Sequence, residues 1–114
     1  MVLTINERNN NQTQNIFLIR HGVAQHNIHR NHRDLKNDER FTDPKLIPEG
    51  IQQIVAKNIP DMLPSNIDLV VVSPLTRCIQ TSLVIFPPYG NRKKKIICRE
   101  DLREACGIYF PDKR

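Results

Sequence analysis

Cysteine is scarce in this chain: Cys78, Cys98 and Cys106 are the whole supply, odd in number and with no C-x-x-C spacing. That excludes a framework of paired disulfides and a cysteine zinc site, and leaves reduced cytosolic thiols as the simplest reading. Long apolar runs are missing too. Residues 1–15 have no apolar core of the signal-peptide kind, and no later run is long enough to cross a bilayer. A soluble, cytoplasmic chain with no membrane partner is therefore expected. The same first 15 residues, rich in Asn and Gln, hold too few apolar side chains to offset the entropy of ordering. They are expected to form a disordered polar tail, with the domain occupying 16–114. Acids are outnumbered, 12 Asp and Glu against 17 Lys and Arg, giving a net charge of +5 that favours an anionic partner over a cationic one. There is no internal repeat. A chain of 114 residues is one small domain, able to bury a core only around a complete sheet.

What the chain does contain is a strong alternation of elements. Ile16 to Ile19 is a short run apolar on both faces, as in a parallel sheet covered on each side, and it leads straight into Arg20-His21-Gly22. Gly22 permits a turn, and a helical turn is expected after Val23. Residues 30–45 show no apolar period and read as a charged surface loop. Pro48-Glu49 suits a helix start, and Ile51, Ile54, Val55 and Ile59 predict a buried stripe that Pro60 ends or kinks. Leu69 to Val72 is a second β-branched strand. Ser73-Pro74 is expected to cap and open a helix whose buried stripe is Leu75, Ile79, Leu83 and Phe86. After Pro87-Pro88 and the basic run Arg92–Lys95, Ile96 to Cys98 forms a further strand.

Strand, helix, strand, helix predicts an α/β fold: three layers, α/β/α, around a mainly parallel sheet. Parallel strands put their carboxyl ends on one edge, where open α/β sheets bind ligands. Two segments are found there, Arg20-His21-Gly22 and Ser73-Pro74-Leu75-Thr76-Arg77. A neutral imidazole between two arginines can carry a phosphoryl group, because the cations disfavour imidazolium and neutralise the non-bridging oxygens of a loose transition state. Arg77, in the first turn of its helix, is expected to share one small anion with the free amides there. A carboxylic acid must protonate the leaving oxygen, and Glu104 is the candidate.

Arg20-His21-Gly22 with Asn27, Leu46-x-x-x-Gly50-x-x-Gln53, Ser73-Pro74-Leu75-x-Arg77-x-x-Gln80-Thr81 and Leu102-Arg103-Glu104 together resemble the histidine phosphatase superfamily, also called phosphoglycerate-mutase-like. The resemblance runs from Ile16 to Arg114, and the ending Cys106-Gly107 to Arg114 is similar to eukaryotic phosphoglycerate-mutase-like proteins. It implies His21 as the phosphohistidine nucleophile, Arg20 and Arg77 as phosphate ligands, Asn27 as a pocket residue and Glu104 as a proton donor. It implies a phosphorylated small-molecule substrate and no metal or organic cofactor. Leu46-Ile47 stands where the family often has Leu-Thr, so a capping hydroxyl is lost before the next helix. The family also uses a histidine after a later strand, and this chain has none beyond His32. The carboxyl-terminal part of the domain is therefore expected to be missing, leaving the sheet incomplete.

The leading expectation is a phosphomonoester hydrolase acting through phospho-His21, with phosphatase and mutase chemistry both open. The alternative is a phosphate-binding module of the same fold without turnover. Third comes a nucleic-acid binder using Arg92–Lys95, which lacks the interleaved aromatics of such surfaces and reads better as a solvated loop. His26, His29 and His32 step by three through a polar loop, but without acid or cysteine partners at ligand spacing they are set aside as a metal cluster.

Overall fold

The computed structural model describes residues 2–7, 14–28, 38–92, 94–104 and 109–113. Four strands form one sheet: β1 (Val2–Glu7), β2 (Gln14–Ile19), β3 (Leu69–Val72) and β4 (Ile96–Cys98), in the order β2-β1-β3-β4. Strands β2, β3 and β4 are the three expected from their apolar and β-branched runs. Strand β1 is not: residues expected inside a disordered tail form a strand between β2 and β3, antiparallel to both. The reason is local composition, since Val2-Leu3-Thr4-Ile5 is a β-prone run within an otherwise Asn- and Gln-rich segment. Because β1 opposes both neighbours and β3 pairs with β4 in parallel, β2, β3 and β4 still point the same way. The expected edge of carboxyl ends therefore exists, although two of the three pairings are antiparallel.

Helix α1 (Pro48–Ala56), the short α2 (Ile59–Met62) and α3 (Thr76–Ile85) follow the proline signals. Proline fits the start of α1 because a first-turn amide has no intrahelical partner to lose. Ile47, the residue before α1, makes no side-chain cap, as the missing hydroxyl implied. Pro60 does not kink α1. That helix stops at Ala56, Asn58 turns the chain in the left-handed region at φ 49°, and Pro60 sits in the first turn of α2.

The core joins Ile19, Val70 and Val72 of the sheet to Ile54, Ile67, Leu75, Cys78, Ile85 and Phe86. Each fully buried aliphatic side chain here contributes about 1.5–3 kcal/mol. Both predicted helical stripes are only partly buried. Ile51 and Val55 of α1 and Leu83 of α3 are exposed, and the inward face of α3 carries Arg77, Cys78, Thr81, Ser82 and Ile85. Apolar spacing misplaced that face because polar bonds to the loop after β2 set the rotation of α3.

Both longer helices pack on one side of the sheet. On the other side Ile16 and Leu18 are 57% and 66% exposed, with Ile97 at 36%. The backbone register pairs Ile16 and Leu18 with Ile5 and Leu3, those two with Leu69 and Val71, and Val71 with Ile97. The chain is α/β, and the described residues supply two of the three expected layers.

The loop after β2 is fastened to the start of α1. Gln25 N–H donates to Lys45 O at 3.0 Å, and Ile47 N–H donates to Val23 O at 3.1 Å. This approach is so close that a Cβ on Gly50 would run into the Val23 carbonyl and lie 2.9 Å from the Val23 nitrogen. Gly50→Ala is expected to cost about 1–3 kcal/mol through forced backbone movement, read as a lower urea midpoint at unchanged slope.

Candidate functional site

His21 leaves the carboxyl end of β2 with one ring nitrogen already assigned. Its Nδ1 lies 2.7 Å from the Gly22 carbonyl oxygen, which can only accept, so Nδ1 carries the proton and donates. In the neutral ring the lone pair is therefore on Nε2. Burial pushes the pKa of His21 below the ordinary histidine value, and the charges of Arg77 and Arg20 push the same way against the Gly22 hydrogen bond. The neutral form, the one able to attack phosphorus, is thus the favoured form.

The two sequence motifs are bonded to each other. Gly22 N–H donates to Thr81 Oγ1 at 3.1 Å, and that hydroxyl donates onward to the Arg77 carbonyl at 2.8 Å. Arg77 is 1% exposed. Its Nη1 donates to the Pro111 carbonyl and its Nη2 to Asp112 Oδ1 at 2.8 Å, while Nε finds no partner among the described residues. Glu104 stands 3.7 Å from Nη2 with its side chain 73% exposed. Arg77 thus reaches the site electrostatically, but a protein carboxylate holds its fork.

The start of α3 also differs from expectation. Ser73 does not cap it: its Oγ is buried without a partner among the described residues, and the helix begins at Thr76. The cap comes from 33 residues away, where Asp43 accepts from Thr76 N–H at 2.7 Å and from the Thr76 hydroxyl at 2.6 Å. A carboxylate, not a free anion, meets the positive end of that helix.

Arg20 and His21 border two clefts. One, of about 220 Å³, is completed by Gly22, Val23, Asn27, Gln53, Ile54, Lys57 and Ile59. The other, of about 550 Å³, brings Glu104, Arg103, Leu102 and Asp101 to the same histidine. Of the five candidate residues, Arg20, His21 and Asn27 line the first cleft and Arg20, His21 and Glu104 the second, while Arg77 lines neither and acts on His21 through its charge. Sequence reasoning missed Lys57, a cation one turn beyond Gln53 on the same helical face. It also missed His26, whose ring centre is 5.9 Å from that of His21. The clue to His26 was its place beside Asn27 in the motif's own turn. His29 and His32 lie outside the described residues, among which no metal-binding group of three side chains is found. Nor is any helix among them long and apolar enough to cross a membrane.

The family model described as histidine phosphatase superfamily (branch 1) matches residues 16–109. The chain belongs to the histidine phosphatase superfamily. Searches of curated proteins and of solved structures returned no match. The superfamily supports phosphatase- or mutase-like function in general terms, and its sequence match spans both arginine motifs and Glu104.

Of the two described histidines in this superfamily member, His26 carries the larger shift. Burial first, then the charges of Arg77 and His21, lower its pKa to about 4, with Asp112 opposing. Between the unfolded value near 6.5 and about 4 the unfolded chain binds the extra proton, so this contribution to stability is full above pH 6.5 and lost as pH falls through that window. Ring-proton NMR of the folded chain should give a His26 midpoint near 4, and a midpoint near 6.5 would show the ring to be solvated.

Proposed function

We propose that the chain is a phosphomonoester hydrolase that transfers the phosphoryl group of a small phosphorylated substrate to His21 and then to water. The observation that carries this reading is the Nδ1–H bond from His21 to Gly22, which leaves Nε2 as an unprotonated, partly buried nucleophile at the junction of two clefts. In the first step Nε2 attacks phosphorus, the ester P–O bond breaks, and the leaving oxygen takes a proton from the carboxylic acid of Glu104. In the second, Glu104 takes a proton from water, whose oxygen displaces Nε2 and yields inorganic phosphate. Arg20 and Lys57 give the cleft its charge and donors for the phosphoryl oxygens, and Asn27 lines the same cleft. The free thiols of Cys78 and Cys98 fit a reducing compartment, which we take to be the cytosol.

Arg77 serves the phosphoryl group in this scheme only when Asp112 yields. That engagement is the specific observation favouring a second reading, a module that binds phosphate esters without turnover. The two readings separate on one experiment. Incubation with an aryl phosphate should label the chain with an acid-labile phosphoryl group that His21→Ala abolishes. Phosphate binding without label selects the module, and label surviving in His21→Ala refutes the proposed nucleophile.

A second test addresses Arg77. Asp112→Ala leaves a buried guanidinium charge without its carboxylate and is expected to cost about 3–5 kcal/mol. If phosphate reaches Arg77, adding inorganic phosphate should raise the thermal midpoint of Asp112→Ala more than that of the unaltered chain. Equal responses would show that the anion does not reach it.

A further inference from the structure

The amide of Asn27 uses both its ends. Its Oδ1 accepts from Ala24 N–H at 2.9 Å, and because a backbone N–H can only donate, this bond fixes which end of the amide is oxygen. The other end, Nδ2, is then a donor, and it lies 3.1 Å from His26 Nε2. That ring nitrogen must accept, so in the neutral imidazole the proton sits on Nδ1. His26 Nδ1 is buried and meets no partner among the described residues. The result is a fixed donor without an acceptor on a ring whose centre lies 5.9 Å from that of His21. This separation is comparable to the reach of a phosphoryl group carried on one ring.

We propose that His26, locked by Asn27 as its Nδ1–H tautomer, is a hydrogen-bond donor to a phosphoryl oxygen at His21. This rests on phosphoryl chemistry at His21 and assigns two roles that the scheme above leaves empty. His26 touches the transferred group, and Asn27 is a positioning residue acting through the His26 ring. A neutral donor is useful beside Arg20 and Arg77 because it adds a directed bond without adding another repelling cation. With its pKa at about 4, His26 keeps that neutral form throughout the ordinary working range. Isolated imidazoles favour the proton on Nε2, so the Asn27 bond is what reverses the preference.

The test uses the full chain with 15N-labelled histidine and inorganic phosphate as probe. At neutral pH the ring spectrum should show His26 protonated on Nδ1, and that Nδ1 signal should move on phosphate titration. A proton on Nε2, or an Nδ1 signal that stays still while the chain binds phosphate, overturns the proposal; neither measurement needs a variant. His26→Ala should weaken phosphate binding roughly tenfold to a hundredfold, the worth of one hydrogen bond to a charged oxygen. His26→Gln, which retains an N–H donor, should recover most of that loss. Asn27→Ala should return the His26 proton to Nε2 and weaken phosphate binding with the ring still present, which a merely structural asparagine would not do. Unchanged affinity in a folded His26→Ala chain refutes the donor role and leaves the phosphatase reading standing. An unaltered chain that binds no phosphate ends both.

Discussion

A guanidinium removed from water is the constraint on which most of this structure depends. An arginine does not lose its proton to escape burial, so Arg77 must be surrounded by acceptors or the fold fails. Asp112 and the Pro111 carbonyl satisfy its fork, and Arg103 in turn donates to the Asp112 carbonyl at 3.0 Å. The same buried charge reaches His21 and His26 and opposes protonation of both. The rotation of α3 follows as well, because a helix that must present Arg77 and Thr81 inward cannot also bury Leu83. One residue thus joins the packing of the helix, the protonation of two rings and the seating of a segment more than thirty positions later.

Around that charge the site has a layered proton arrangement. His21 directs its proton to its own neighbour's carbonyl and keeps Nε2 open. His26 carries its proton on the same nitrogen but has the other one engaged, accepting at Nε2 from Asn27. Burial first, and the Arg77 charge with it, lowers the pKa of both rings, yet their surroundings give them different work. The short turn Gln25–Asn27 is sufficient to set the second arrangement, since the Asn27 amide closes back on Ala24 and reaches the adjacent ring at once.

What the sequence made legible was the part of the fold written in adjacent residues. Strands β2, β3 and β4 follow from short apolar runs, the starts of α1 and α2 from proline, and the meeting of the two arginine motifs from strands that point one way. What it hid was written across distance. Asp43 capping Thr76 and Asp112 pairing with Arg77 join positions whose spacing carries no periodic signal. Strand β1 was hidden differently, because four β-prone residues beside a polar stretch are too few to outweigh its composition. His26 was visible as a residue but not as a partner. Its role depends on which end of the Asn27 amide faces it, and that is decided by a backbone N–H three positions earlier.

The apolar residues exposed on the side of the sheet opposite the helices have a consequence for the chain as a solute. Copies of a chain bearing a net charge of +5 repel one another, while Ile16, Leu18 and Ile97 give each copy an apolar surface that favours contact. Repulsion acts over the Debye length, about 10 Å at 0.1 M salt and about 3 Å at 1 M, whereas contact between apolar faces is not screened. Salt therefore removes the force that keeps molecules apart and leaves the one that draws them together. Ionic strength thus sets how closely two such faces approach.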